Sequence, residues 1–136
     1  MSRAADGFTL VEVMVATSVL TVGVVALVQL ALLAEAAGRA AARVTVAAVL
    51  AQDKMEQLRA QEWPEASAGC CDYFDAHGGR LAGGASPPVG TAFTRRWAID
   101  AMPVFPEAAR VLRVWVVPTG AVAPVRLVSV RARRIG

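Results

Sequence analysis

The stretch GFTLVEVMVATSVLTVGVVALVQLALL, residues 7–33, decides how this chain folds. Glu12 is the only charged residue among the 26 residues from Phe8 to Leu33. A helix rises about 1.5 Å per residue, so this segment would form a helix roughly 39 Å long, which exceeds a bilayer core of about 30 Å. We therefore expect a membrane-spanning helix that begins close to the N-terminus.

A cleaved secretory signal peptide is the first alternative for this segment. Such a peptide has an apolar run of about 7–15 residues, whereas the run here is longer and carries Glu12 near its beginning. A carboxylate costs roughly 2.5–3.5 kcal/mol at the centre of a membrane helix and less near its end. Thr9 and Glu12 have the Thr-x-x-Glu spacing of a capping box, and the helix dipole favours an acid there. A retained helix fits these features better than a discarded leader.

The string Gly7-Phe-Thr-Leu-Val-Glu12 resembles the processing and methylation site of type IV prepilins and pseudopilins. That pattern has a short leader ending in Gly, then Phe, an apolar stretch, and Glu at the fifth mature position. The resemblance implies that a prepilin peptidase cleaves between Gly7 and Phe8 and that Phe8 becomes N-methylated. It also implies that Glu12 pairs with the α-amino group of Phe8 on an adjacent subunit. Asp6 departs from the pattern, since a basic residue is common there.

The segment after the leader, residues 8–63, predicts one long helix because it contains no proline. Its first half, residues 8–33, is apolar all round and is the predicted transmembrane half, and its second half, residues 34–63, is amphipathic. Apolar residues recur there at spacings of four and three, which predicts a face that packs on a sheet. These residues are Val44, Ala48, Ala51, Met55 and Leu58. The stretch Leu50–Ala60 resembles the equivalent part of minor pilins and I-type minor pseudopilins.

The C-terminal half predicts a small sheet. Residues 64–90 are rich in glycine and proline and predict an irregular loop. Residues 91–136 contain three strand candidates, Thr91–Met102, Val111–Val117 and Pro124–Arg131, the last two joined as a hairpin. We therefore expect an α+β fold of the type IV pilin kind, in which the long N-terminal helix packs on an antiparallel sheet of about three strands.

Neither a catalytic site nor a metal or cofactor site is expected. Cys70, Cys71, Asp72, Asp75 and His77 contain metal-ligating chemistry, but their spacing matches no zinc or calcium pattern. Adjacent cysteines do not close a long loop, so a disulfide to another chain and two free thiols both stay open. A structural subunit, rather than an enzyme, is the prediction.

Charge is distributed unevenly along the chain. Phe8–Asp75 contains four basic and eight acidic residues, and Thr91–Gly136 contains eight basic and two acidic residues. The basic half predicts a solvated sheet face, a contact with an acidic neighbouring subunit, or DNA capture as in competence-type pilins. The solvated face is favoured, because only Trp97 and Trp115 supply nearby aromatic rings. The arginines in question are Arg95, Arg96, Arg110, Arg113, Arg131, Arg133 and Arg134.

The favoured function is that of a minor pilin that is assembled into a type IV pilus or primes it. A minor pseudopilin of a type II secretion system and a DNA-binding competence-type pilin are the alternatives within the class. A membrane-tethered protein without an assembly role is the rival outside it. The resemblance implies a single-pass protein of the inner membrane, with its N-terminus cytoplasmic and its head outside the cytoplasm. Its partners would be the prepilin peptidase and other pilin or pseudopilin subunits.

The processing site gives a direct prediction. Gly7→Glu should leave the chain at its precursor mass in cells that carry the peptidase, because the peptidase pattern requires glycine before the cleaved bond. Mass spectrometry of the membrane fraction measures this, and normal trimming of the variant would contradict the assignment of the site.

Overall fold

The computed structural model describes residues 9–120 and 123–133. The elements are helix α1, Leu10–Ala60, and strands β1, Ser67–Phe74, β2, Arg80–Gly83, β3, Phe93–Ala101, β4, Ala109–Pro118, and β5, Val125–Ala132. The chain forms two compact units. The first ends at Arg39, and the second, called the head below, runs from Ala40 to Gly136. Residues of α1 belong to both units.

Thr9 caps the beginning of α1. The backbone N–H of Glu12 donates to Thr9 Oγ1 at 3.3 Å, and that of Val13 donates to the Thr9 carbonyl at 3.2 Å. One half of the expected capping box is therefore present, while the Glu12 carboxylate makes no return hydrogen bond within the described residues. The carboxylate of Glu12 consequently stays available for another partner.

The apolar surface of the first unit is uncovered. Every large apolar side chain from Leu10 to Leu33 is exposed, the least of them, Val13, by 48 %, and this is the one described helix long and apolar enough to cross a membrane. The hydroxyls of Thr17, Ser18 and Thr21 donate to carbonyls of the preceding helical turn. Polar groups are thus satisfied inside the helix, as a bilayer requires, while the apolar side chains need lipid or other helices around them.

The head contains a five-stranded antiparallel sheet of order β2-β1-β3-β4-β5. The α+β prediction is confirmed, and the three predicted strands correspond to β3, β4 and β5, of which β4 and β5 pair as expected. The prediction of about three strands was wrong, because residues 64–90, predicted as a loop, contain β1 and β2. Their glycines were interpreted as loop signals, although the sheet uses at least one of them for packing.

Gly69 shows why a glycine stands inside β1. It pairs with Trp97 of β3, and a Cβ at this position would overlap the indole ring. The register then shifts between Cys70 and Asp72, so that Asp72 pairs with Arg95 and faces the same side of the sheet as Trp97. This bulge, in which Cys70 and Cys71 are joined to each other by a disulfide, brings an acid to the helix side of the sheet.

The core of the head lies between α1 and the sheet. On the helix, Met55 and Leu58 are buried as predicted, together with Ala51. Val44 and Ala48 were expected on the same face, but Val44 is 43 % exposed and Ala47 and Leu50 are buried instead. The sheet contributes alternate residues of its central strands, among them Phe93, Ile99, Leu112, Val114 and Val116. The many alanines of α1 make it hard to predict which residues face the sheet, since small residues fit at either edge of the apolar face.

Arg95 connects three elements inside this core. Its guanidinium donates to Asp72 Oδ2 of β1 at 2.8 Å and 3.2 Å, to the Leu50 carbonyl of α1 at 3.0 Å, and to Asp53 Oδ2 at 3.0 Å. Arg95 is 4 % exposed and Asp72 is 6 % exposed. The guanidinium of Arg95 is paired with carboxylates and hydrogen-bonded to both α1 and β1, so it fixes the position of the helix on the sheet. Removing one partner of such a buried pair is costly.

Asp72 is held ionised by its surroundings. Burial raises its pKa, but hydrogen bonds from Arg95 and Arg80, with their positive charges, outweigh burial, so the pKa lies below the ordinary value. The Arg80 guanidinium contacts the second carboxylate oxygen at 3.0 Å. Two cations therefore share this carboxylate, and its protonation would weaken both contacts.

Arg95→Ala should lower the free energy of unfolding of the head by about 3–5 kcal/mol, because it leaves Asp72 buried with a single cation. Arg96→Ala is the matched control: its side chain is exposed, and we expect a change within about 0.5 kcal/mol. Urea unfolding of the full chain in detergent micelles, followed by tryptophan fluorescence, measures both, since all three tryptophans lie in the head. Equal effects of the two substitutions would contradict the role of Arg95.

The head should also lose stability in acid through Asp72. Because the pKa of Asp72 is lowered in the folded state, its contribution is complete above the ordinary value of 3.8 and disappears as the pH falls through the folded pKa. Asp72→Asn should therefore show a smaller loss of unfolding free energy between pH 5 and the acid limit than the wild type. The same urea experiment, repeated across this range, checks it, and identical pH profiles would be the contrary result.

Candidate functional site

The candidate site is the segment at the start of α1. Gly7 and Phe8, the predicted processing residues, lie outside the described residues. Glu12, the predicted assembly residue, lies in the first turn of the helix, where the positive end of the helix dipole favours a carboxylate. The structure thus gives the position of Glu12, and the cleavage of the Gly7–Phe8 bond stays a prediction.

The surroundings of Glu12 are apolar and uncovered. Its nearest neighbours along the chain, Val11 and Val13, are exposed, and so is Glu12. The ion pairs among residues 9–120 and 123–133 do not include Glu12, whereas Glu35 lies 3.7 Å from Arg39. A carboxylate in apolar surroundings is stabilised when it acquires a cation together with hydrogen bonds. The geometry therefore suits a site that is completed by a positively charged group from elsewhere.

The basic residues of the second half do not form one binding face. Arg95 is buried against Asp72, and Arg113 donates to Asp100 of the neighbouring strand. Arg110 and Arg131 donate to backbone carbonyls of the segment that follows α1, those of Pro64 and Glu62 respectively. Arg134 lies outside the described residues. Four of the seven arginines thus have partners within the head, which removes much of the surface that DNA capture would require.

The predicted aromatic residues are separated in the same way. Trp97 faces α1, where the Lys54 ammonium lies 3.7 Å from its ring centre, and Trp115 belongs to the opposite face of the sheet. A single-stranded nucleic acid is bound by successive aromatic rings along a basic groove. The placement of Trp97 and Trp115 provides no such series of rings.

Asp72 and Asp75, which were considered as possible metal ligands, have other partners. Asp72 binds Arg95 and Arg80, and Asp75 accepts hydrogen bonds of 2.8 Å from the backbone N–H groups of His77 and Gly79. The bonds from Gly79 and His77 lower the pKa of Asp75. In the described part of the chain, no group of three or more His, Cys, Asp or Glu side chains is placed to hold a metal ion.

Comparison with known proteins bears on the N-terminal segment. Residues 2–28 match the family model described as the prokaryotic N-terminal methylation motif. Searches of the curated proteins and of the solved structures returned no significant match. The matched range includes Gly7, Phe8 and Glu12 together with most of the apolar run.

This match indicates a prepilin segment of the type IV pilin and pseudopilin kind. Together with a long apolar helix packed on an antiparallel sheet, it supports membership of the type IV pilin or pseudopilin family. The motif indicates processing by a prepilin peptidase, anchoring in a membrane and assembly with other pilin subunits, which is the work of a structural protein.

Proposed function

We propose that this chain is a minor pilin, which is cleaved between Gly7 and Phe8, N-methylated on Phe8 and assembled into a type IV pilus or its priming complex. Before assembly it resides in the inner membrane, with the N-terminus in the cytoplasm and the head on the other side. During assembly the apolar part of α1 leaves lipid and packs against the helices of other subunits. The ammonium group of Phe8 on one subunit then pairs with Glu12 on the next.

The observation that carries this proposal is the lone carboxylate of Glu12. It lies in the first turn of a helix whose large apolar side chains from Leu10 to Leu33 are all exposed, and its side chain has no ion-pair partner among the described residues. Placing an ammonium and a carboxylate together in an apolar interior costs less than placing either there alone. Cleavage after Gly7 creates an α-amino group at Phe8, four residues before Glu12, and on a neighbouring subunit this group supplies that ammonium.

The lone charge on the exposed helix surface supports assembly rather than simple tethering. Lipid and a second apolar helix are similar environments for valine and leucine, so association depends on close packing and on polar contacts. Between Leu10 and Leu33, Glu12 is the only charged side chain available for such a contact. The small head and the resemblance of Leu50–Ala60 to minor subunits favour a minor over a major pilin.

The decisive measurement is mass spectrometry of the native N-terminus combined with recovery of the chain in sheared pili. The mature protein should begin at Phe8 and carry one additional methyl group. Glu12→Gln should be trimmed normally but incorporated at about a tenth of the wild-type level or less, because each neighbouring Phe8 ammonium would lose its counter-charge.

Glu35→Gln is the matched control, since it also removes one carboxylate from α1 but affects only an exposed pair with Arg39. It should assemble at the wild-type level. Equal incorporation of the Glu12 and Glu35 variants would contradict the proposal. Recovery of the trimmed chain only with components of a secretion channel would favour the minor pseudopilin instead.

A further inference from the structure

An open cleft of about 850 Å³ lies beside the segment that follows α1. It is lined by Glu62, Trp63, Arg131, Ala132 and Arg133, and we call it the Trp63 cleft. Its two walls are separated by about 70 positions in the sequence and are brought together because β5 packs beside the end of the helix. The cleft lies entirely within the head.

Two guanidinium groups lie close to the indole ring of Trp63. The Cζ atom of Arg110 lies 5.0 Å from the ring centre, and that of Arg133 lies 5.7 Å from it. Both distances are within the range of a cation–π interaction, about 6 Å. The half-buried indole therefore holds two flexible cationic side chains close to the cleft before any ligand arrives.

Within the described residues, the arginines at the cleft form no ion pair with a carboxylate, although Glu62 is part of the lining. Arg110 donates to the carbonyls of Pro64 and Pro106, and Arg131 donates to those of Gln61 and Glu62. Carbonyl oxygens carry only partial charge, and none of the ion pairs in residues 9–120 and 123–133 includes Arg110, Arg131 or Arg133. Arg80, Arg95 and Arg113, by contrast, each contact an aspartate.

Arg133 is the side chain with the greatest freedom to bind a ligand. Its backbone N–H donates to the Ala108 carbonyl at 2.7 Å, which fixes the main chain. Its exposed guanidinium, apart from the contact with Trp63, makes no hydrogen bond to the described residues. Arg131, by contrast, donates to the Gln61 and Glu62 carbonyls just after α1.

We propose that the Trp63 cleft receives an acidic segment of a neighbouring filament subunit, whose carboxylates bind the guanidinium of Arg133 and the unused donors of Arg131 and Arg110. This inference rests on the proposed function, because assembly is what brings another head alongside. A guanidinium group binds a carboxylate through two parallel hydrogen bonds, in a bidentate ion pair. A nucleic acid is a poorer fit than an acidic peptide for two reasons. The Glu62 carboxylate on the wall repels a polyphosphate more strongly than a segment of isolated carboxylates, and the single indole ring cannot stack with several successive bases.

The test is the binding of an acetylated, amidated hexaglutamate peptide to the purified full chain in uncharged detergent micelles, measured by calorimetry at low salt. Binding should weaken as salt is added, and hexaglutamine should not bind. Arg133→Gln should weaken binding about tenfold, because it removes charge-assisted hydrogen bonds. Arg126→Gln is the matched control: it removes the same charge from an exposed position in β5, the strand that Arg133 follows, and we expect a change below about twofold.

Equal losses in the Arg133 and Arg126 variants would overturn the proposal, since they would reflect net charge alone. So would failure of the wild type to bind, or equal binding of hexaglutamine. Tighter binding of an oligothymidylate, with the same dependence on Arg133, would overturn it in favour of a nucleic acid.

Two further measurements keep these outcomes interpretable. Arg133→Lys retains the charge but loses the planar fork, so it should bind with an intermediate affinity even if the glutamine variant unfolds at lower urea. The peptide experiment requires neither trimming nor assembly, so a failure to bind would not contradict the proposed function. A native N-terminus other than Phe8 would contradict the proposed function, but it would not change the peptide binding.

Discussion

The constraint on which this molecule depends is an apolar helix surface that its own chain does not cover. Valine and leucine side chains from Leu10 to Leu33 are exposed all around the helix, so their burial must come from lipid or from other subunits. The backbone and hydroxyl groups of this stretch form hydrogen bonds within the helix. Glu12 is the only charged group of the stretch, and a cation from a partner would stabilise its carboxylate. Lipid and the helices of other subunits would each cover this surface, and under the proposed function Glu12 gains an oppositely charged partner only in the second case.

The head solves a different problem, which is to hold a thin sheet on a single helix. Its apolar core is small, and the buried guanidinium of Arg95 adds directional hydrogen bonds to it. Arg95 contacts β1 and two groups of α1 at once, so these elements are positioned relative to one another by hydrogen bonds that apolar contacts alone would not specify. The bulge at Cys70 and Cys71 is part of this arrangement, because it turns Asp72 toward the helix.

Local patterns in the sequence predicted the helix, β3 to β5 and the position of Glu12, since each depends on neighbouring residues. The misses involve residues far apart in the chain. Gly69 was interpreted as part of a loop, whereas its contact with Trp97 places it inside β1. The burial of Arg95 was not predicted, because its acid partner lies 23 residues earlier in the chain. The Trp63 cleft lies between the end of α1 and β5. Neither Trp63 nor Arg133 predicted the cleft, because the two residues are far apart in the sequence. Only the register of the sheet and the path of the chain bring such groups together.

The composition of β5 has a consequence for many heads held side by side. This strand lies at one border of the sheet and exposes Val128 and Val130, each by more than half, which is the kind of border that recruits strands from other molecules. Arg126 and Arg131 flank these valines, so two copies approaching border to border would bring like charges together. The arginines therefore disfavour pairing of two such borders, which limits strand addition between crowded heads.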